Sequence, residues 1–178
     1  MNQQEIEQMV AQVMARLQTG PDMGIQDIET QEGIFDEVDA AVSAASKAQK
    51  ALTELKLEER EKIIRAMRQA VEENVELIAK TAVEETGLGR YEDKVKKNLL
   101  AARKTPGTED ICPRACTGDY GFTLEERAPY GVIGSITPST NPSETVICNG
   151  IGMIAAGNAV VFNSHQGAKK VTRLTIEL

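Results

Sequence analysis

Two short apolar runs near the C-terminal end constrain this chain most. Gly131-Val-Ile-Gly-Ser-Ile-Thr137 reads as one buried strand and Ala159-Val-Val-Phe162 as another. Between them lies a helical pattern over 143–156, with Val146, Ile147, Gly150, Ile151 and Ile154 on its inner face and Gly157 at its end. A further helix starts near His165. The order strand–helix–strand–helix is the opening of a parallel α/β sheet. Two parallel strands cannot cover both of their faces or stand alone. The last residues, VTRLTIEL, keep Val171, Leu174 and Leu178 in helical phase with no cap or breaker. The expectation is therefore an incomplete sheet, finished by a longer parent chain or by something else.

The region before the sheet is helical in pattern from 36 to 104. Val38, Ala41, Val42, Ala45, Ala48, Leu52 and Leu55 form a first stripe. Ile63, Ile64, Met67, Val71, Leu77, Ile78 and Ala82 continue it, with a break expected near Asn74. Gly87 and Gly89 suit a C-cap and turn. A helix from Tyr91 to about Lys104 then ends at Thr105-Pro106-Gly107. Its Lys94, Lys96 and Lys97 read as a solvated face, with a phosphate patch as the alternative. Phe122-Thr-Leu-Glu-Glu-Arg127 reads as a strand, interrupted by Ala128-Pro129-Tyr130.

The N-terminus is a different object. Ile6, Met9, Val10, Val13, Met14 and Leu17 fall within an arc of about 140° on a helix over 1–17. Residues 18–33, with Gly20-Pro21, Gly24 and many acidic and amide side chains, read as a linker. A helix this short needs an apolar partner. Its polar face carries a single Arg16, whereas helices that lie on membranes are rich in Lys and Arg.

Composition closes off other classes. The net charge of −7 argues against nucleic acid as the main partner, and with no Trp, three Phe and three Tyr there is little to stack bases on. No run reaches the roughly 18 apolar residues of a membrane span, and MNQQEIEQMV has no basic signal region. Three cysteines and one histidine do not supply a zinc ligand set, so no metal is expected. The thiols read as reduced, in a cytoplasmic setting.

The loop Thr137-Pro-Ser-Thr-Asn-Pro142 carries the chemistry. Asn141 as cap, Pro142 at the first helical position and Glu144 three residues after the cap make a strong helix start. The loop thus joins the C-terminal end of a strand to a helix N-terminus, where open α/β folds bind ligands. Free N–H groups there favour an anion or a developing oxyanion. The alternative is a capped connection that binds nothing. The loop is neither GxGxxG nor a Walker loop.

The stretch from Ala128 through Pro142, with Ala155-Ala-Gly-Asn-Ala-Val-Val-Phe162, resembles the aldehyde dehydrogenase superfamily. The Thr-Pro-Ser-Thr-Asn-Pro form, with Ser164-His165 and Ala168-Lys-Lys170, resembles its coenzyme-A-acylating branch. Glu85-Thr-Gly-Leu-Gly-Arg90 and Lys104-Thr-Pro-Gly-Thr-Glu109 are similar to the acylating enzymes of ethanolamine- and propanediol-degrading bacterial microcompartments. The resemblance spans essentially the whole chain. It implies an aldehyde dehydrogenase-like α/β fold: a helical N-terminal part plus the first strand–helix units of a Rossmann-like parallel sheet. Residues 34–178 would be the beginning of the cofactor-binding domain.

The resemblance also implies an activity: NAD-dependent oxidation of a short-chain aldehyde to an acyl-CoA, with coenzyme A as co-substrate. Its nucleophilic cysteine would lie beyond residue 178, so this chain alone is expected to be inactive. None of Cys112, Cys116 or Cys148 stands in that motif, and Cys148 reads as a packed small hydrophobe. Ile136, Thr137, Pro138 and Ser139 match the segment that lines the nicotinamide ribose. Thr140 and Asn141 fall at the oxyanion position. Asn163, Ser164, His165 and Gln166 fall where the cofactor's adenosine side is held, with a helix start capped by Ser164 as the alternative for His165. Residues 1–17 would target the protein to a microcompartment shell or to another cargo protein, in the lumen, and the full-length protein would be a homo-oligomer. The rival reading is a non-catalytic cargo or adaptor module that docks to the shell.

Overall fold

The computed structural model describes residues 33–178, which lie in a compact unit spanning Gln31–Leu178. The targeting helix expected over 1–17, and all but the last residue of the linker expected over 18–33, lie outside the described residues.

Helix α1 (Val38–Glu54) buries no residue fully. Its alanines Ala41, Ala44 and Ala45 are half-buried, and it packs against the strand pair through this small-residue face. Gln49 Nε2 adds a hydrogen bond to the Gly157 carbonyl, at 3.1 Å. Val38 stays 70% exposed, outside the stripe expected for it. The helix stops where Leu55 and Lys56 turn extended, with ψ of 144° and 155°.

Helix α2 (Leu57–Thr86) then runs unbroken for 30 residues. The expected break at Asn74 is absent, because Asn74 Nδ2 donates to the Ala70 carbonyl one turn back, at 2.9 Å. A polar side chain satisfied this way need not interrupt a helix. The buried face is Ile64, Val71, Val75, Ile78, Ala79 and Ala82. Leu77 was expected on it but points to solvent, 49% exposed, because one residue from Ile78 is about 100° around the helix. Gly87 ends the helix as expected, at φ 66°, with its N–H on the Val83 carbonyl.

Helix α3 (Tyr91–Lys104) lies along α2. Arg68 of α2 ties down its far end, donating to the Ala102 carbonyl and, at 2.7 Å, to the Thr105 carbonyl. These are end carbonyls with no partner inside their own helix. A 3-10 turn (Thr108–Ile111) leads to a hairpin of β1 (Arg114–Gly118) and β2 (Gly121–Glu125), antiparallel, with Ala115 opposite Leu124 and Thr117 opposite Phe122. Strand β1 was not expected, and β2 ends two residues earlier than its sequence pattern. Every residue of both is exposed, so alternation has no buried face to report.

Strands β3 (Val132–Ile136) and β4 (Ala159–Asn163) pair in parallel, with Val132 opposite Ala159 and Ile136 opposite Asn163. Helix α4 (Pro142–Ala155) makes the crossover. A second 3-10 turn (Gln166–Ala168) leads into α5 (Lys169–Glu177). The strand pair is less covered than its sequence suggests. Ile136 is 83% exposed, and β4 is only half-buried. The core lies instead among the helices: Ile64, Val71, Ile78 and Ala82 of α2, Ala101 and Ala102 of α3, Ile147, Ile151 and Ala155 of α4, and Val171 of α5. Each large aliphatic side chain there contributes about 1.5–3 kcal/mol by leaving water.

One buried side chain aligns the two strands at their start. Asn158 Oδ1 accepts from the Tyr130 and Gly131 amides, at 2.6 and 3.0 Å. The Ala159 amide returns a bond to the Gly131 carbonyl, at 2.9 Å. A hydrogen bond from Asn149 Nδ2 to Ser135 Oγ, at 2.9 Å, ties α4 to β3.

Candidate functional site

The two parallel strands end at the same edge, and their loops leave side by side. The Thr137 amide donates to the Asn163 carbonyl at 2.9 Å, and the Thr137 hydroxyl lies 3.5 Å from the same oxygen. Loop 137–141 and loop 163–166 therefore form neighbouring walls above the C-terminal ends of β3 and β4. The eight residues expected on the cofactor side fall on these two loops or at the strand ends that feed them. Ile136, Pro138, Asn163, His165 and Gln166 are exposed, while Ser139 and Ser164 are half-buried. Thr137 is 1% exposed, so its side chain is a floor rather than a contact.

His165 is fixed by its own turn. Its Nδ1 accepts from the Gly167 amide at 3.0 Å, which places the proton of the neutral ring on Nε2. The alternative reading of a helix start capped by Ser164 gives way to this cap by His165, because the turn after His165 is 3-10 and its first free amide comes within reach of the ring. Helix α5 behind it is capped from a distance. Glu85, near the end of α2, accepts from the Lys170 and Val171 amides, each at 2.8 Å. Its carboxylate sits on amides that have no partner inside α5, at the positive end of that helix.

The other loop departs from its expected capping box. Asn141 occupies the cap position of α4 but makes no side-chain cap bond. Its Oδ1 accepts instead from Lys97 Nζ at 2.6 Å. Glu144 does not reach back to Asn141. Its Oε1 faces Lys94 Nζ at 3.4 Å, and its Oε2 accepts from Ser143 Oγ at 3.2 Å. Lys94 Nζ also donates to the Thr140 carbonyl, at 2.6 Å. The two lysines outcompete the local cap because α3 lies directly against the loop. Lys94, read from sequence as part of a solvated face, is 3% exposed.

The cysteines lie away from these loops in role. Cys148 packs against the helical core, and its Sγ accepts from Thr105 Oγ1 at 3.1 Å. Cys112 and Cys116 are exposed, on the 3-10 turn's exit and on β1. The only shifted carboxyl resolved among the described residues is Glu109. The Gly107 amide, then its own amide, and more weakly the Arg68 guanidinium, hold it below the usual carboxylate range.

Chemically, the edge offers the adjoining ends of two parallel strands, an exposed Ile136, and a helix N-terminus whose first turn lacks its side-chain cap acceptor. That set suits a dinucleotide lying across the strand ends and an oxyanion near the helix start. Nothing in it crowds a ligand out: a Cβ added at Gly134 would meet open space, and Ile136 is bare.

Comparison with known proteins bears on the family of the chain. Residues 21–178 match the model of the aldehyde dehydrogenase family. The acetylating acetaldehyde dehydrogenase EutE of Escherichia coli (strain K12) is 47% identical over 180 residues, covering 100% of this chain and 37% of its own length. The solved propionaldehyde dehydrogenase from the Clostridium phytofermentans fucose utilisation bacterial microcompartment is 51% identical, with a TM-score of 0.78 over 82% of this chain and 33% of that one. The Rhodopseudomonas palustris propionaldehyde dehydrogenase, solved with bound CoA and an acylated cysteine, is 46% identical, with a TM-score of 0.80 over 83% of this chain and 34% of that one. The chain thus spans about a third of the length of these relatives. Its sequence over 21–178 and its fold together make it a member of the aldehyde dehydrogenase family.

Proposed function

We propose that a protein carrying this chain, together with the remaining length of its relatives, oxidises a short-chain aldehyde to an acyl-CoA with NAD as electron acceptor. The observation that carries this reading is the shared edge at Thr137 and Asn163, which sets both candidate loops side by side at the ends of the paired strands. In this reading the backbone of 136–139 lines the nicotinamide ribose. Asn163, Ser164, His165 and Gln166 hold the adenosine side, with His165 presenting Nε2 outward. The start of α4, at Thr140 and Asn141, faces the reacting oxygen. When bound, the dinucleotide takes up the hydride; this chain's residues orient it and offer N–H groups to an oxyanion. Coenzyme A is the second substrate, as the CoA in the Rhodopseudomonas structure supports.

The same reading places the protein in the lumen of a bacterial microcompartment in the cytoplasm, as a homo-oligomer. Residues 1–17 dock it to a shell or cargo protein through Ile6, Met9, Val10, Val13, Met14 and Leu17, and residues 18–33 act as the tether. The microcompartment source of the Clostridium relative supports this, and helix-in-groove docking uses such i, i+3, i+4 anchors. The test of activity is acetaldehyde or propionaldehyde with NAD, with and without coenzyme A. Reduced dinucleotide and acyl-CoA formed together, faster with NAD than with NADP, are expected; reduced dinucleotide with free acid as product would overturn the acylating assignment. The test of docking is Ile6→Glu with Val10→Glu on a fluorescent fusion. Loss of co-localisation with microcompartments is expected, while Gln4→Glu keeps it.

A further inference from the structure

Lys94 is a buried cation whose place the reaction scheme above does not use. Its side chain is 4% exposed and reaches from α3 to two groups of the loop and helix that follow β3: the Thr140 carbonyl at 2.6 Å and Glu144 Oε1 at 3.4 Å. Gly89 accommodates it, since a Cβ there would stand 3.3 Å from Lys94 Cε, at a backbone φ of 82°. Three residues along α3, Lys97 Nζ holds Asn141 Oδ1 at 2.6 Å and lies 4.0 Å from the same Glu144 oxygen. Lys94 and Lys97 sit at i and i+3, hence on one face of the helix. That face holds three groups: the Thr140 carbonyl and Asn141 Oδ1 of the loop, and Glu144 Oε1 in the first turn of α4.

The grip has a directional consequence. A trans peptide is planar, with its C=O and N–H pointing opposite ways. Holding the Thr140 carbonyl toward α3 therefore turns the Asn141 N–H away from α3. Holding Asn141 Oδ1 toward Lys97 likewise turns Nδ2 away from it. Both donors of Asn141 are set by lysines on another helix, rather than by the local cap that the sequence would form alone. We propose that Lys94, assisted by Lys97, is a positioning residue: it fixes the orientation of the Thr140–Asn141 peptide and so selects the N–H groups that this loop presents to the reacting oxygen. Its activity readout rests on the function proposed above; its structural readout does not.

A purely structural role would be to neutralise buried Glu144. The two roles separate in a pair of variants. Lys94→Met takes the Thr140 carbonyl's donor and the nearer of the two lysines facing Glu144, which keeps Ser143 Oγ at 3.2 Å and Lys97 Nζ at 4.0 Å. Lys94→Met with Glu144→Met removes the ion pair as a unit, which commonly restores stability, but leaves the Thr140 carbonyl unheld. The experiment uses the protein expressed from its complete reading frame, and measures kcat, KM for NAD, melting temperature and amide hydrogen exchange over 137–145. For Lys94→Met, kcat should fall at least tenfold, KM for NAD should stay within threefold, and exchange over 137–145 should quicken at least tenfold. The double variant should melt within a few degrees of the parent and keep the lowered kcat and fast exchange. Lys96→Met, on the exposed side of α3, is the control and should change none of these. A kcat within twofold of the parent in Lys94→Met, or recovery of kcat in the double variant, would overturn the proposal. If Lys94→Met does not fold, the double variant alone decides it. If the parent forms no acyl-CoA, the proposed function fails instead, and loop exchange still decides this point: unchanged exchange in both variants overturns it.

Discussion

Replacing Glu85 by Ala removes the cap of α5, and the cost can be worked from the contacts. The carboxylate accepts two amide hydrogen bonds of 2.8 Å, from Lys170 and Val171. Hydrogen bonds to a charged partner contribute about 1.5–3 kcal/mol each when buried. Lys170 is exposed and its amide regains water, so its share is small. Val171 is 0% exposed, so its amide loses an acceptor and gains nothing. Adding the favourable place of a carboxylate at a helix N-terminus, about 0.3–1 kcal/mol, the local loss is at least about 2 kcal/mol. That corresponds to roughly 30-fold faster opening of the first turn of α5. Amide hydrogen exchange at Val171 reads it directly, with Ala102 of α3 as an internal reference that should not change. Glu85→Gln keeps one acceptor oxygen without the charge and should fall between. The loop carrying His165 and Gln166 precedes this helix, so NAD affinity should drop along with the protection. Exchange at Val171 quickened less than threefold by Glu85→Ala would refute the reasoning.

Other expectations follow from single contacts. Asn158→Ala removes the acceptor of the Tyr130 and Gly131 amides and should destabilise the β3–β4 pair by about 1–3 kcal/mol, seen as lost amide protection over 131–136; Asn158→Asp, which keeps the acceptor, should lose less than half as much. The Gly107 amide, chiefly, lowers the Glu109 carboxyl below its ordinary value near 4.5. Its contribution to the 3-10 turn is therefore complete above that ordinary value and is lost as pH falls through the lowered one. Amide exchange at Gly107, corrected for its intrinsic pH dependence, should show this acid-side loss in the parent and not in Glu109→Gln. The 178-residue chain by itself exposes Phe122 at 64%, Tyr130 at 93% and Ile136 at 83%, and should bind a hydrophobic dye and self-associate; a monodisperse, dye-silent monomer would contradict this.

What could be read from sequence depended on whether local chemistry or a distant contact decides a position. The α4 helix, its inner face of Val146, Ile147, Gly150 and Ile151, and the parallel pairing of its flanking strands were legible, since periodicity and the flanking Pro142 and Gly157 fix them locally. The exposed hairpin strand β1 was not, because neither of its faces is buried and no alternation marks it. Asn74 was misread as a breaker because its bond to Ala70 is invisible in the letters. Leu77 was misplaced because a long helix has a narrow buried stripe, and one residue's step leaves it. At the site, the two loops were legible as strand ends, but their grip was not. Lys94 looks like any surface lysine until α3 is laid beside loop 137–141, and the Asn141–Glu144 capping box yields to it. Glu85 likewise belongs to a recognisable motif, yet only the fold shows that it caps a helix 85 residues away.

The central claim is that the paired ends of β3 and β4 hold the dinucleotide. Hydrogen exchange of the whole protein with and without saturating NAD tests it most directly. Protection is expected in peptides covering 136–141 and 163–168, with none over the hairpin at 114–125. Protection elsewhere in this chain, with both of those segments unchanged, would contradict the account.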